Sequence, residues 1–429
     1  VIQLEFDGRI PTDKLADIIK GHSVRWYNDA WQYYLGKNPT IERRLPKDIG
    51  APDNKVPVSY ARKLVRTITG YMFKPGLIDY TSENEEYLNT LDEIFYENNE
   101  PVKTSMLGKY SSIYGVGYEL HYTTDDLIPR FAKVEPQEVI PIYNFSLEPK
   151  LTAAVRHYYR GDTLNVEVYY PDTIEYYTMN NMNRLTKTGE EPHEYDAVPL
   201  VVYDNNEELL GDFEPIRPLI DAYDILMSDS MNEFDRFAWA YLILKGMMMD
   251  EEDAAKIKDK RILEFVAEGG AEFLTKDVPS DFIQFMAEWI RKEIHKQSHI
   301  PDFIDAGKTG DNLSGVAIDK LLYDFEFIAA TKEALFRLGL YRRLDLIDTI
   351  IRKTRGDIGN KREVEITMHR NRPEELLQNA KIAQAFAGVV SNQTLIENLV
   401  PFADWQTEQE RLADEMLVDV EAPDVEEST

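Results

Sequence analysis

The chain has 429 residues, more than one hydrophobic core usually organises, so two or three lobes are expected, and 43% hydrophobic content with 25 Tyr and 18 Phe excludes disorder over most of that length. The 77 acidic against 48 basic residues leave a formal charge of −29, which repels phosphate and excludes a tight nucleic-acid binder that works by counterion release. Cysteine is absent, which rules out disulfides and thiolate metal sites, and no apolar run of about 18 residues offers a membrane span.

The first residues, Val1 to Pro11, carry no basic flank followed by an apolar run, so no targeting segment is expected. From Thr12 the spacing of Leu15, Ile18, Ile19, Trp26 and Tyr34 predicts helix up to the turn at Gly36 to Pro39. Val58 to Met72 predicts a second helix ended by Lys74, Pro75 and Gly76. Glu83 to Asn98 and Pro101 to Ser112 predict two more. Short β-rich runs follow at Gly117 to Tyr122, Glu138 to Tyr143, Ala153 to Tyr159, Asn165 to Tyr170, Thr173 to Thr178 and Val198 to Tyr203. Alternation in Asn165 to Tyr169 predicts an antiparallel sheet with one face wet.

Apolar residues at spacings of three and four from Ile216 to Tyr241 predict a long helix over about Pro215 to Leu244, about 45 Å if unbroken. Arg261 to Ala267 and Ala271 to Leu274 flank Glu268-Gly269-Gly270 as a small hairpin, and Asp281 to Ser298 is again helical. A polar, glycine-rich loop from Asp305 to Ser314 opens a third long helix near Gly315. Its seam, Ile318, Leu321, Phe325, Ile328 and Leu335, is interrupted by Lys332. Val364 to Met368 reads as a lone strand, Pro373 to Leu399 as a helical pair, and the acidic end past Asp419 as disordered.

Catalytic motifs occur only in fragments. Gly307-Lys308-Thr309 resembles the close of a phosphate-binding loop, but the glycine needed five residues earlier is Asp302, whose carboxylate opposes triphosphate. The apolar-then-acidic run Met247 to Asp253 precedes that segment, reversing the order of a nucleotide site, and reads as a helix end and start. His295 and His299 have zinc-ligand spacing without the general base or a third ligand, and read as surface histidines. Asn312-Leu313-Ser314 and Asn392-Gln393-Thr394 match the glycosylation sequon by chance, and no nucleophile elbow surrounds Ser314. No catalytic residue, metal or cofactor is expected.

Taken in order, several stretches resemble the portal proteins of tailed phages, in particular long, noncontractile-tailed phages of Gram-positive hosts. They are Tyr33-Tyr34-Leu35-Gly36 with Asn54-Lys55 and the Tyr60 to Pro75 helix; Asn205-Asn206-Glu207 through Tyr223 and Ser228-Asp229; Leu313 to Ala317; and Ala380 to Gly388 with Ser391 to Thr394. The resemblance implies an α+β subunit of a ring, usually of twelve copies, around a double-stranded DNA channel. It implies a wing over 1–210, stem helices at 211–245 and 281–303, a clip at 246–280, a tunnel loop at 304–314, a tunnel helix and return to the wing at 315–370, and a crown at 371–429. The implied partners are terminase, a major capsid or scaffold protein and a head-tail adaptor; the implied location is the virion's portal vertex, and the host cytoplasm during assembly.

By the same resemblance Asp305, Gly307, Lys308, Thr309, Gly310, Asp311 and Asn312 face DNA, and Gly310 and Gly315 act either as hinges or as plain turn and cap residues. Lys308, between Asp305 and Asp311, either makes weak exchangeable phosphate contacts or only solubilises the loop. The alternatives are a packaging ATPase or nuclease and another non-catalytic virion scaffold protein.

Overall fold

The computed structural model describes residues 2–46, 51–179, 184–237, 241–245, 270–274, 280–302, 315–371, 382, 384–387, 389–399, 405–409 and 411. They fall into two compact units, 1–302 with 324–370, and 303–323 with 371–429. The fold is α+β.

The first unit is built on a six-stranded sheet of β1 (Ile2–Gln3), β5 (Val139–Tyr143), β6 (Leu151–Arg160), β7 (Thr163–Tyr169), β8 (Thr173–Met179) and β9 (Leu185–Pro192), in that order. β1 lies parallel to β5 and every other neighbour is antiparallel, as short hairpin connections require. One face packs Ile142, Val155, Val166 and Val168 against Leu15 and Ile19 of α1 (Thr12–Gly21). The other is not the wet face expected. Ala154 and Tyr169 pack on Val116, Tyr118 and Leu200 of a second sheet, ordered β10 (Leu200–Asp204), β3 (Val116–Thr123), β4 (Pro129–Val134). Glu167 stays polar within this contact because the hydroxyls of Tyr169, at 2.6 Å, and Tyr158, at 3.0 Å, donate to it.

The edge strand β4 is closed by side chains. Asn98 accepts from Phe131 N–H at 3.1 Å and donates to Pro129 C=O at 3.0 Å, and Lys103 donates to Phe131 C=O at 2.6 Å. Asn98 ends α5 (Glu85–Asn98), and Lys103 lies in the next helix, α6 (Glu100–Tyr114).

The helix expected from Thr12 to Tyr34 is two, α1 and α2 (Arg25–Leu35), because His22 takes an extended conformation after α1. Its Nδ1 lies 2.8 Å from Nε2 of His157 on β6, so one neutral ring donates to the other. Burial lowers the pKa of both, that of His157 to about 4 with the help of repulsion from His22.

After α3 (Pro39–Glu42) come α4 (Tyr60–Met72) and β2 (Ile78–Thr81). The helix expected over Pro215 to Leu244 is shorter, α7 (Arg217–Phe237), and Tyr241–Lys245 is strand β11. It pairs with β12 (Gly270–Leu274), a pairing not expected; the strand expected at Arg261 to Ala267 lies outside the described residues. Helix α8 (Ser280–Ser298) follows as predicted. The lone strand is not alone, since β13 (Glu365–Met368) pairs antiparallel with β2.

Helix α9 (Gly315–Thr354) has 40 residues, a length of about 60 Å. From Leu322 its buried side is Phe325, Ala329, Lys332, Phe336, Leu340, Arg343, Ile347 and Ile350, so Lys332 sits in the seam instead of interrupting it. Its ammonium donates to Asp212 at 2.8 and 2.9 Å and to Ser112 at 2.6 Å. Gly339 lets α9 approach β10, because a Cβ there would fall 2.4 Å from the Tyr203 ring.

Arg343 is fully buried. Its Nε and Nη2 donate to the two oxygens of Glu119 at 2.9 and 2.7 Å, and Nη1 donates to Glu100 at 2.6 Å and Thr104 at 2.9 Å. Burial alone would raise the Glu119 pKa, but Arg343 and a hydrogen bond from His121 draw it down to about 2.

Two outcomes are expected. Arg343→Met strands Glu100 and Glu119 without their cation and lowers the unfolding free energy by about 3–5 kcal/mol in denaturant titration. A histidine held neutral binds fewer protons folded than unfolded, so the stability it contributes is full above pH 6.5 and is lost as pH falls toward about 4. Replacing both His22 and His157 by Gln therefore flattens the fall in urea midpoint across that window.

Candidate functional site at the root of residues 303–314

The last described residue before the 303–314 segment is Asp302, and three side chains from two helices surround it. Arg291 of α8 donates to its Oδ2 at 2.8 Å, Lys63 of α4 lies 4.0 Å from Oδ1, and His295 Nε2 lies 3.8 Å from Oδ2. His295 Nδ1–H donates to Ile300 C=O at 2.9 Å, which fixes the tautomer and leaves Nε2 to accept from the Lys63 ammonium at 3.1 Å. Burial and the neighbouring Lys63 lower the His295 pKa, so the ring stays neutral. Tyr60 completes the cluster with its ring 6.2 Å from His295 and 5.1 Å from Tyr223 of α7.

His295 is thus buried, contrary to the surface position expected, and its free nitrogen is occupied by an ammonium rather than presented to a metal. His299 is exposed and takes the left-handed conformation, φ 55°, that ends α8 and turns the chain toward Asp302. Among the described residues no three His, Asp or Glu side chains are grouped to hold a metal ion. None of the described helices is long and apolar enough to cross a membrane.

Helix α7 is tied to the chain entering α4. Val58 N–H donates to Asp224 at 2.9 Å, Val56 N–H to Ser228 Oγ at 3.0 Å, Asn54 N–H to Asn232 at 2.6 Å and the Asn54 amide to Asp235 at 2.5 Å. Asn38 donates to Asp221 and Asp224 at 2.9 and 2.8 Å. An extended strand therefore runs along a polar stripe at 224, 228, 232 and 235. Sequence reading followed only the apolar spacing of this helix; the signal for the stripe was the repeat of small polar residues at helical period. Burial raises the Asp224 carboxyl despite these bonds.

Of the residues expected to face DNA, Asp305, Gly307, Lys308, Thr309, Gly310, Asp311 and Asn312 lie outside the described residues, as do 246–269, 275–279 and most of 372–429. Gly315 opens α9. In the second unit, α10 (Asn392–Leu399) begins at the discounted Asn392 sequon, with Ser391 Oγ accepting from Thr394 N–H at 3.2 Å. Asp302, read in the sequence as the residue that spoils a phosphate loop, is the acceptor of the Arg291 ion pair.

Asp302→Asn removes a charge-assisted hydrogen bond and is expected to cost about 1.5–3 kcal/mol. Faster amide hydrogen exchange in the last turn of α8, with exchange in β6 to β8 unchanged, is the measurement that checks it.

Comparison with known proteins gives one consistent result. The family model described as phage portal protein, SPP1 Gp6-like, matches residues 19–417. The portal protein of Bacillus phage SPP1 is 24% identical over 94% of this chain and 86% of its own length. That of Clostridium phage phiCD119 is 22% identical over 93% and 95%. Among solved structures, a chain from the neck of a native gene transfer agent particle, computed with C12 symmetry, aligns at TM-score 0.48 and 12% identity over 80% of this chain and 91% of its own. A chain from the neck of the empty particle, computed with C6 symmetry, aligns at 0.46 and 13% over 87% and 93%. With one model spanning all but the two ends of the sequence, the chain belongs to the phage portal protein family of the SPP1 Gp6-like type.

Proposed function

We propose that this protein assembles with copies of itself into a closed ring, of twelve as in the usual portal, at a capsid vertex. Double-stranded DNA enters the head through the ring during packaging and leaves through it during ejection. Terminase, capsid or scaffold protein and head-tail adaptor dock on the ring. The family match over residues 19–417 carries this reading. On it, 1–210 form the wing, α7 and α8 the stem, 246–280 the clip, 304–314 the tunnel loop, α9 the tunnel helix and its return to the wing, and 371–429 the crown.

Charge supports a conduit over a binder. At −29 per chain, twelve copies carry about −350, and a wall that samples this charge repels the duplex and limits sticking. Lys308 then supplies exchangeable phosphate contacts among carboxylates. A packaging ATPase is disfavoured by Asp302, which stands where a phosphate loop needs glycine and is already engaged by Arg291. The ring serves as a non-catalytic channel whose motor is a separate protein.

Electron microscopy of the assembled protein is expected to show closed rings with a channel wide enough for duplex DNA; monomers or open filaments alone would count against the proposal, as would ATP hydrolysis by the purified chain. Replacing Gly310 and Gly315 together by Pro is expected to impair DNA packaging in vitro while ring formation persists; normal packaging would remove the hinge role.

A further inference from the structure

Helices α7 and α8 lie against each other and run antiparallel. Tyr223 and His295 both contact Tyr60 at one end, and at the other β11, which follows α7, pairs with β12, which precedes α8. Residues that sum to about 517 therefore stand at the same level along the pair, placing Met231 and Phe234 of α7 level with Phe282, Phe285 and Trp289 of α8. All five side chains are between 44% and 69% exposed. On α8 they follow the helical period and form one stripe, while Ile290 and Ile294 of the same helix are buried.

Large aromatic side chains bury about 150–250 Å² each, so the five leave on the order of 500 Å² of apolar surface open to water. Divided between the two helices this is about 300 Å² on α8 and about 200 Å² on α7, of the few hundred Å² that marks an interaction patch, and the two together supply about a third of the roughly 1,600 Å² of total surface that a stable interface buries. A cyclic ring adds a geometric condition. Rotation about the axis keeps height unchanged, so the interface is heterologous and joins two different patches at one level of the subunit. Two apolar patches on different helices at a shared level meet that condition.

We infer that the Phe282, Phe285 and Trp289 stripe of α8 packs against Met231 and Phe234 of α7 in the adjacent copy, so that the occupant of this surface is a second copy of the chain. The inference rests on the ring reading above and adds which faces close the ring. The interface is apolar because neighbouring subunits, each at −29, repel through their charged surfaces.

The absence of cysteine allows a direct test. A chain carrying Phe234→Cys and a chain carrying Phe285→Cys, distinguishable by mass, are co-expressed, and the assembled full-length protein is oxidised. Disulfide-linked dimers of one chain of each kind are expected, reversed by reductant, with little product when either variant is expressed alone. Rings that form without the mixed dimer overturn the inference and leave the ring reading intact; a wild-type chain that forms no ring under assembly conditions overturns that reading itself. Phe285→Glu is a second arm. Because Phe285 is exposed in the single chain, circular dichroism is expected to match wild type while the ring fraction in sedimentation falls about tenfold. An unchanged ring fraction overturns the assignment, and would leave the stripe to capsid, scaffold or adaptor protein.

Discussion

A guanidinium and an ammonium shut away from solvent are costly unless their donors find acceptors, and Arg343 and Lys332, three turns apart on α9, each find carboxylates from other elements. Arg343 gathers Glu100 from α6 and Glu119 from β3, while Lys332 gathers Asp212 from the loop before α7. Phe73 and Tyr203 pack with tilted rings against Phe336 between them, with centroids at 4.6 and 4.7 Å. The register of α9 against α6, β3 and β10 is thereby specified: a shift of one residue would part both cations from their acceptors at once.

Local signals were legible where one short window held them. Alternation marked Asn165 to Tyr169 of β7, the Lys74-Pro75-Gly76 stop marked the end of α4, and α5, α6 and α8 were read as helices close to their observed bounds. Legibility failed where pairing lay far away. Lys332 looked like a flaw in a seam because Asp212 stands 120 residues earlier. Glu365–Met368 looked like a lone strand because its partner Ile78–Thr81 is short and has little apolar character of its own. Tyr241–Lys245 satisfied the helical spacing of α7 and the β preference of Tyr and Ile together, and pairing with Gly270–Leu274 decided between them. β9, reading Leu-Thr-Lys-Thr-Gly-Glu-Glu-Pro, was not anticipated because an edge strand with a solvated face need not alternate.

At the root of 303–314, the sequence disclosed only part of what Asp302 does. A carboxylate at 302 does oppose a nucleotide, yet its position is set by Arg291, Lys63 and the single tautomer of His295. Such a cluster cannot be seen by spacing, since Lys63 and His295 are separated by 232 residues. What sequence order did carry was the family, through stretches spread along most of the chain.

Two kinds of contact divide the chain. Within the chain, polar groups are buried and paired: Arg343 with its carboxylates, and the strip from Asn54 to Val58 against Asp224, Ser228 and Asn232. Paired buried charge is poor in net stability but demanding in geometry, which suits fixing α7 and α9 against the elements they pack on. The exposed aromatic residues of α7 and α8 are of the opposite kind. Apolar contacts tolerate small rotations, so on the proposed ring neighbouring copies joined through Phe and Trp would be free to shift against each other. Arg343 and Lys332 direct their charge inward, to Glu100, Glu119 and Asp212. What α7 and α8 leave exposed at Met231, Phe234, Phe282, Phe285 and Trp289 is apolar, and it is these side chains that remain for contact with another chain.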